Sequence, residues 1–487
     1  MTQRTHDTFS NEQKHVLAIL LIPAFMSLLS VSIINVTLPA ISGSLHTGTS
    51  GLQWVISGYA LVFGVLLVPA GRAGDVWGRG KLFTTGLVTF GLGSLLSGLA
   101  PNIIMLNLAR VVMGIGSGLL NPQVTGMIQQ YFNGHARGRA FGAFGGIIGV
   151  SVAIGPVLGG TLIALLGSAA GWRCAFLVNV PIAFAGAIAA RKLLPPTAWA
   201  AHPDNYPTAT KEKADFDPIG MILLALATTC IMVPFMEAAL VGPTIWVVLA
   251  IGLALVAAWL RWETNYRRRG HQPMVDLDLF TTRSFANGAM LIAVYFFGST
   301  SVWLIIAQYM QAGLGHSAFA SGMIGLPSAI AAAITAPIAG KHVVRIGRPL
   351  VLWGLGIVLI ALLSTGAVAL LHKHGISEWW MLLTLSFLGL GQGMVISPNQ
   401  TLTLADVPVQ YAGSAGGVLQ TGQRIGTAIG IAVITTVAFH TATTNGWDQG
   451  LAIGMAATAC TTLAAIALGT FDLIMTKRER RTTPDTR

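Results

Sequence analysis

The chain has 487 residues, 53% of them hydrophobic and only 9% charged, with a mean hydropathy of +0.70. Soluble domains carry about 25% charged residues, so this composition excludes a soluble globular protein and makes the lipid bilayer the expected solvent. The net charge of +11 invites a nucleic-acid reading, but its placement along the chain follows membrane topology instead, and no nucleic-acid partner is expected.

A membrane span needs about 20 mostly apolar residues. Fourteen such runs occur, at 16–40, 52–71, 82–100, 102–130, 140–164, 173–193, 217–239, 243–261, 285–311, 317–340, 350–371, 378–402, 413–440 and 450–475. Only helices satisfy their own backbone within segments of this length. The expected fold class is therefore an all-α integral membrane protein with 14 transmembrane helices. The first run follows a polar stretch and is long enough to span, so no cleavable signal peptide is expected. Of the 28 Lys and Arg, Arg173 and Lys373 fall on one side of this threading and Arg110 and Arg424 lie inside spans; the rest share the other side. By the positive-inside rule that side is cytoplasmic and holds both termini.

The connections complete the domain plan. Residues 1–15 are a cytoplasmic tail, and 16–193 hold six spans. Residues 194–216, with Pro195, Pro196, Pro203 and Pro207, read as a cytoplasmic linker. Spans seven and eight occupy 217–261. The loop 262–284 carries Arg267, Arg268 and Arg269 and then PMVDLDLF, which reads as a short amphipathic surface helix. Six more spans follow at 285–475, and the tail 476–487 carries a basic KRERR anchor. Cys174, Cys230 and Cys460 lie in or beside apolar runs and support neither a disulfide framework nor a metal site.

Two segments reveal an internal repeat. Residues 71–83 read GRAGDVWGRGKLF, a short basic loop between spans two and three, and 340–348 read GKHVVRIGR. Gly71, Gly78 and Arg79 map onto Gly340, Gly347 and Arg348 with one offset, while Asp75 maps onto Val344, so only the first copy keeps its acid. GIGSG at 114–118 is echoed by GLGQG at 389–393, and Gly138 by Gly413. The architecture is thus two six-helix halves with spans seven and eight as an inserted helical hairpin.

These motifs resemble the fourteen-span drug–proton antiporter branch of the major facilitator superfamily (EmrB/QacA type), over nearly the whole chain. Gly71, Asp75, Gly78, Arg79 and Lys81 fit the superfamily's loop signature. SIINVTLPAI and WVISGYAL fit spans one and two. Arg110, Gly114 and Gly116 fit span four, and Gly155, Pro156, Gly159 and Gly160 fit the antiporter signature of span five. WRCAFLVNVPI opens span six as the branch does, and SPNQTLTLADVPVQYAGSAGG with QRIGTAIG follows the second-half pattern. Three departures stand out: Ser30 where an acid is usual, Val76 for an Arg, and Met113 for a frequent Gln. The resemblance implies a major facilitator fold, secondary transport, efflux of drugs or metabolites, multidrug or antibiotic resistance, a bacterial plasma (inner) membrane and a functional monomer.

Single residues sharpen this expectation. An Arg at a helix centre costs about 2.5–3.5 kcal/mol on insertion scales, so Arg110 must face the bundle interior and find partners. Backbone carbonyls, Asn107 and Asn35 are its candidates, and the resemblance links it to proton transfer. Arg424 in span thirteen poses the same question. Asp75 suits a helix N-terminus or a nearby Arg, and the resemblance gives its loop, Arg79 included, a conformational role. Small residues permit close helix approach and Pro156 removes a backbone donor, so Gly155 and Pro156 read as mechanical. Polar and aromatic mid-span residues are the substrate-binding candidates: Ser30, Asn35, Tyr59, Asn107, Gln123, Tyr295, Trp303, Gln308, Gln392, Asn399 and Gln420. As a set they suit a large apolar pocket for an amphipathic compound.

None of the 17 acids falls at the centre of a span. Glu237, Asp406 and Asp472 lie near span ends. A pump for organic cations is expected to hold a buried carboxylate, so the substrate expected here is neutral or anionic, with Asp75, Glu237 or Asp406 left for coupling. No cofactor is expected beyond the proton gradient as energy source, and no metal. HExxH and P-loop patterns are absent, so an enzyme is not expected. A lipid or envelope-precursor exporter, an uptake symporter and a non-transporting sensor or scaffold are the alternatives.

Overall fold

The computed structural model describes residues 9–200, 215 and 217–482. Most of the linker lies outside the described residues, as do the side chains of Asn35, Glu237 and the KRERR anchor. The described residues form helices and no strands: α1 Asn11–Leu45, α2 Thr49–Trp77, α3 Arg79–Gly98, α4 Ile103–Tyr131, α5 Gly134–Leu177, α6 Asn179–Leu193, α7 Pro218–Val241, α8 Trp246–Arg268, α9 Arg283–Ser299, α10 Ser301–Gln308, α11 Ala318–Met323, α12 Leu326–Ile346, α13 Arg348–Leu371, α14 Met381–Thr403, α15 Ala412–Asn445 and α16 Trp447–Thr482.

Among the described residues, 12 helical stretches are long and apolar enough to cross a membrane. One of them, Gly134–Leu193, is 60 residues long. It contains a break at Gly167 (φ 78°, ψ 168°), and beyond it the chain folds back, for a Cβ on Gly171 would lie 2.6 Å from Ile163 Cα. The 20-residue α3 is not among the 12; Arg79 and Lys81 in its first turn lower its hydropathy. Large apolar side chains face outward, including Leu165 at 77% exposure and Ile104 at 69%. Such a surface is stable only against lipid.

Local chemistry sets the helix ends. Ser10 Oγ accepts the Gln13 N–H and Gln13 Oε1 accepts the Ser10 N–H, each at 3.1 Å, a reciprocal cap that starts α1. Asn102 caps α4 by accepting from Met105 N at 2.9 Å. The two repeat copies end alike. Gly78 (φ 104°) separates α2 from α3, and Gly347 (φ 73°) separates α12 from α13. Each junction needs a backbone that side-chain-bearing residues rarely adopt.

By packing, the chain divides into two compact units. The first comprises Met1–Ala140, Ile154–Leu277 and Pro408–Thr421, and the second Phe141–Ala153, Asp278–Val407 and Gly422–Arg487. In the first, α4 packs on α2 and α3, and the hairpin α7–α8 lies against α2. In the second, α14 packs on α12 and α13, and α16 on α13 and α9. Glycines permit these approaches: a Cβ on Gly116 would lie 2.5 Å from Phe90 N, and one on Gly393 2.8 Å from Ala336 N.

Two local expectations are corrected. The 71–83 segment is no loop, because α2 continues through Asp75 to Trp77 and α3 begins at Arg79. PMVDLDLF is no surface amphipathic helix either. Met274 and Val275 are buried with Val68 and Trp259, and only a short 3-10 turn, Leu277–Phe280, forms after them. Their apolar side chains gain more from that cluster than a four-residue helix could return.

Candidate functional site

The buried cation predicted in α4 meets neutral partners. Arg110 is 1% exposed. Its Nε donates to Val55 O at 2.8 Å, and one terminal nitrogen reaches Ser30 Oγ at 3.2 Å and Met113 Sδ at 3.7 Å. The guanidinium lies 4.2 Å from the Tyr59 ring centroid and 5.8 Å from that of Phe176. Tyr59 OH in turn meets Ser117 Oγ at 2.8 Å, and Ser117 meets Ser27 at 3.4 Å. This is how an unneutralised cation survives burial: the fork reaches a carbonyl, a hydroxyl and a thioether, and aromatic faces supply negative potential. The side-chain partner is Ser30 rather than Asn107, whose amide donates to Gly51 O at 3.3 Å.

A second constellation forms where α2 ends. Asp75, its side chain 2% exposed, pairs with Arg79 at 2.7 Å. It also accepts the backbone N–H of Gly413 at 3.0 Å and of Ser414 at 2.9 Å, so it caps the N-terminus of α15. There it meets unsatisfied donors and the positive end of the helix dipole. Arg79 continues to Gly126 O at 3.1 Å, to Gln130 Oε1 at 2.7 Å and to Val409 O. Close backbone approach makes this possible: a Cβ on Gly71 would lie 2.6 Å from the carbonyl carbon of Gly413. Gln123 belongs to this constellation, donating to Ala70 O at 2.7 Å. Gln420 lies near it, donating to Thr125 Oγ1 at 3.1 Å and to Asn121 O at 3.4 Å.

The second repeat copy recruits an acid from elsewhere. Val344 stands where Asp75 does in the first copy, yet Arg348 is paired: its Nε meets Asp472 of α16 at 2.7 Å. Asp472 also accepts from Asn287 at 3.0 Å and Arg283 at 3.3 Å. Asn399 joins through Arg348 and donates to Gly288 O at 3.0 Å. Sequence reasoning missed this network because Asp472 lies 124 residues from Arg348 and outside the repeated motif.

The remaining predicted residues scatter. Tyr295 is buried beside Gln392 without a well-aligned hydrogen bond. Trp303 packs against Gly325, Gln308 is exposed at the end of α10, and Arg424 is half-buried on α15. Gly155 lets α5 meet α1, where its Cβ would lie 3.0 Å from Ile33 N, and Pro156 sits one residue on within α5. Asp406 is exposed and accepts from Ser284 at 2.8 Å. Surface grooves of about 300 and 290 Å³ are lined by Val88, Phe184 and Arg191 and by Ser377, Trp379 and Leu383 among others. None of the predicted substrate residues lines either.

Comparison with known proteins agrees with this architecture. The sequence profile of the Major Facilitator Superfamily matches residues 20–431. The chain is 33% identical over 431 residues to a probable actinorhodin transporter of Streptomyces coelicolor, covering 87% of this chain and 72% of that one. It is 31% identical over 423 residues to the multidrug resistance protein Stp of Mycobacterium tuberculosis, covering 85% and 73%. Its fold is similar to that of the proton:xylose symporter XylE, with a TM-score of 0.66 at 15% identity over 93% of this chain and 94% of that one. The chain belongs to the major facilitator superfamily, as a multi-pass membrane transporter rather than an enzyme, with drug and antibiotic exporters among its relatives.

Proposed function

We propose that the chain is a secondary active efflux transporter of the fourteen-span drug–proton antiporter branch. It exports amphipathic drugs or metabolites by alternating access in exchange for protons. In this reading the 60-residue stretch Gly134–Leu193 supplies two crossings on either side of Gly167, and α3 supplies one more. The protein lies in a bacterial plasma membrane with both termini cytoplasmic, needs no cofactor but the proton gradient, and works as a monomer.

The observation that carries the substrate class is Arg110. It is a buried cation whose described hydrogen bonds all go to neutral acceptors. A site holding an uncompensated guanidinium repels organic cations and attracts neutral or anionic amphiphiles. Its relatives, a probable actinorhodin transporter and a multidrug resistance protein, support export of drugs or metabolites. Exchange of a neutral molecule for a proton moves one net charge, worth about 2.3 kcal/mol per 100 mV.

Flux in proteoliposomes tests the reading, with a pH gradient imposed and the potential clamped separately on matched cationic, neutral and anionic dyes. Export of neutral or anionic dye driven by the pH gradient is expected. Export of the cationic dye alone would sink the substrate class. Absence of any dye flux would favour a lipid or envelope precursor as cargo.

A further inference from the structure

The α7–α8 hairpin carries a buried pair of carboxyl groups that the transport reading does not use. Asp217, just before α7, is fully buried, and Glu263, near the end of α8, is 1% exposed. Both converge on Gly220. A Cβ built there would lie 2.8 Å from Asp217 Cγ and 3.0 Å from Glu263 Oε1, so the two carboxyl groups crowd one glycine.

One oxygen of each is satisfied. Asp217 Oδ1 accepts the Gly220 N–H at 2.9 Å and the Trp262 indole at 2.7 Å. Glu263 Oε1 accepts the Trp259 indole at 2.8 Å, and the Met274 N–H also bonds this carboxyl. The other two oxygens, Asp217 Oδ2 and Glu263 Oε2, are buried with no hydrogen-bond partner. Two carboxylates so close in a dry site cannot both be ionised. A single proton between them supplies a missing donor and removes the second charge. Two free oxygens are too few for a metal, and no cluster of three metal-ligating side chains occurs among the described residues.

We propose that Asp217 and Glu263 form a proton-binding site that controls how the α7–α8 hairpin is seated on α2. Arg72, 4% exposed on α2, bridges both sides of the pair. It donates to Asp215 O at 3.0 Å, two residues before Asp217, and to Gln272 Oε1 at 3.2 Å, two residues before Met274. Val68, one turn earlier on α2, packs with Trp259, Met274 and Val275. Arg72 is also three residues from Asp75, the cap of α15. When the proton leaves for water, two like charges remain in one dry pocket. Their repulsion drives the end of α8 and the Gln272–Val275 strip off Val68 and Arg72, loosening the end of α2 that holds Asp75.

The other ionisable groups around the pair are already engaged. Asp215 is held by Tyr266 and His271, Asp276 by Arg267, and Tyr411 faces Asp276. Proton binding stands on this geometry alone, whereas its coupling to transport rests on the proton exchange proposed above.

The test uses the full-length protein in lipid nanodiscs, with water as the proton source. Infrared titration should show a protonated-carboxyl band at neutral pH that disappears on alkalinisation. The band should be lost in Glu263→Gln and kept in Asp215→Asn. Asp217→Asn provides the same readout should Glu263→Gln fail to fold. Absence of a band that either substitution removes overturns the site. Hydrogen exchange over 272–277, corrected for its intrinsic pH dependence, should rise on alkalinisation in the wild type but not in Glu263→Gln; identical profiles overturn the control of docking. Flux separates the two readings. The band without any pH-driven flux means that proton exchange fails while the site stands, and pH-driven flux untouched by Glu263→Gln overturns the coupling.

Discussion

Asp75 accepts the backbone N–H of Ser414 at 2.9 Å, so a side chain in the last turn of α2 serves as the N-terminal cap of α15, 339 residues away. The same carboxylate neutralises Arg79. Asp75→Asn keeps the size and loses the charge, leaving the buried Arg79 without its counter-ion. Hydrogen bonds to charged groups are worth about 1.5–3 kcal/mol, and a loss of that order is expected in thermal unfolding of the purified protein. Initial efflux rates should fall with it. Gly413→Ala should act alike without touching a charge, because its Cβ would lie 2.6 Å from Asp75 Oδ1. Normal efflux and stability in both variants would remove the cap from the mechanism.

Arg110 offers a test of geometry against charge. Lysine preserves the charge but not the fork that engages Val55 O, Ser30 and the Tyr59 face, and Arg and Lys are not equivalent at such sites. Arg110→Lys should therefore lose most transport of an anionic dye, nearly as much as Arg110→Ala. Tyr59→Phe keeps the ring face and loses only the bond to Ser117, a change of about 0.5–1.5 kcal/mol, so its efflux should stay near wild type. Tyr59→Leu, which removes the face, should not. Dye export from proteoliposomes reads all four, and full activity in Arg110→Lys would reduce the site to a point charge.

The chemistry of these two sites was legible in the sequence to different depths. The repeat predicted equivalent junctions, and Gly78 and Gly347 both take positive φ. Asp75 was expected at a helix N-terminus or an arginine and meets both, because a carboxylate beside closely packed glycines has few other donors. Arg110 meets a backbone carbonyl, as expected, but its side-chain partner is Ser30: chain distance cannot tell Ser30 from Asn107 once three helices converge. Gln123 and Asn399 looked like cavity residues, yet each binds a backbone carbonyl of a neighbouring helix. Asp472 and the Asp217–Glu263 pair were invisible as partners, since no local pattern joins residues that only tertiary packing brings together.

The Arg348–Asp472 pair should be structural. Its side chains are 7% and 9% exposed, and Asp472 also serves Arg283 and Asn287. Breaking a buried pair by removing one partner costs about 3–5 kcal/mol, whereas apolar replacement of both is often neutral. Asp472→Leu should thus unfold at clearly lower temperature, and Arg348→Leu with it should recover much of the loss. A double-mutant cycle on thermal unfolding measures the coupling. Additive losses would mean that the two side chains act independently.

Asp215 supplies a pH-dependent prediction outside the membrane spans. Burial alone would raise its pKa, but the hydrogen bonds from Tyr266 and the backbone N–H groups of Asp217 and Gln272, with His271 nearby, outweigh it and hold the carboxyl below its ordinary 3.8. A depressed folded-state pKa means that the unfolded chain binds the proton more tightly. The stabilisation is complete above the ordinary value and disappears as pH falls through the depressed one. Asp215→Asn should therefore be less stable than wild type at neutral and mildly acidic pH, and the difference should close only in strong acid. Denaturant or thermal unfolding across that range, in detergent that keeps the fold, checks it. A gap that closes instead near neutral pH would exclude the Asp215 carboxylate as its source.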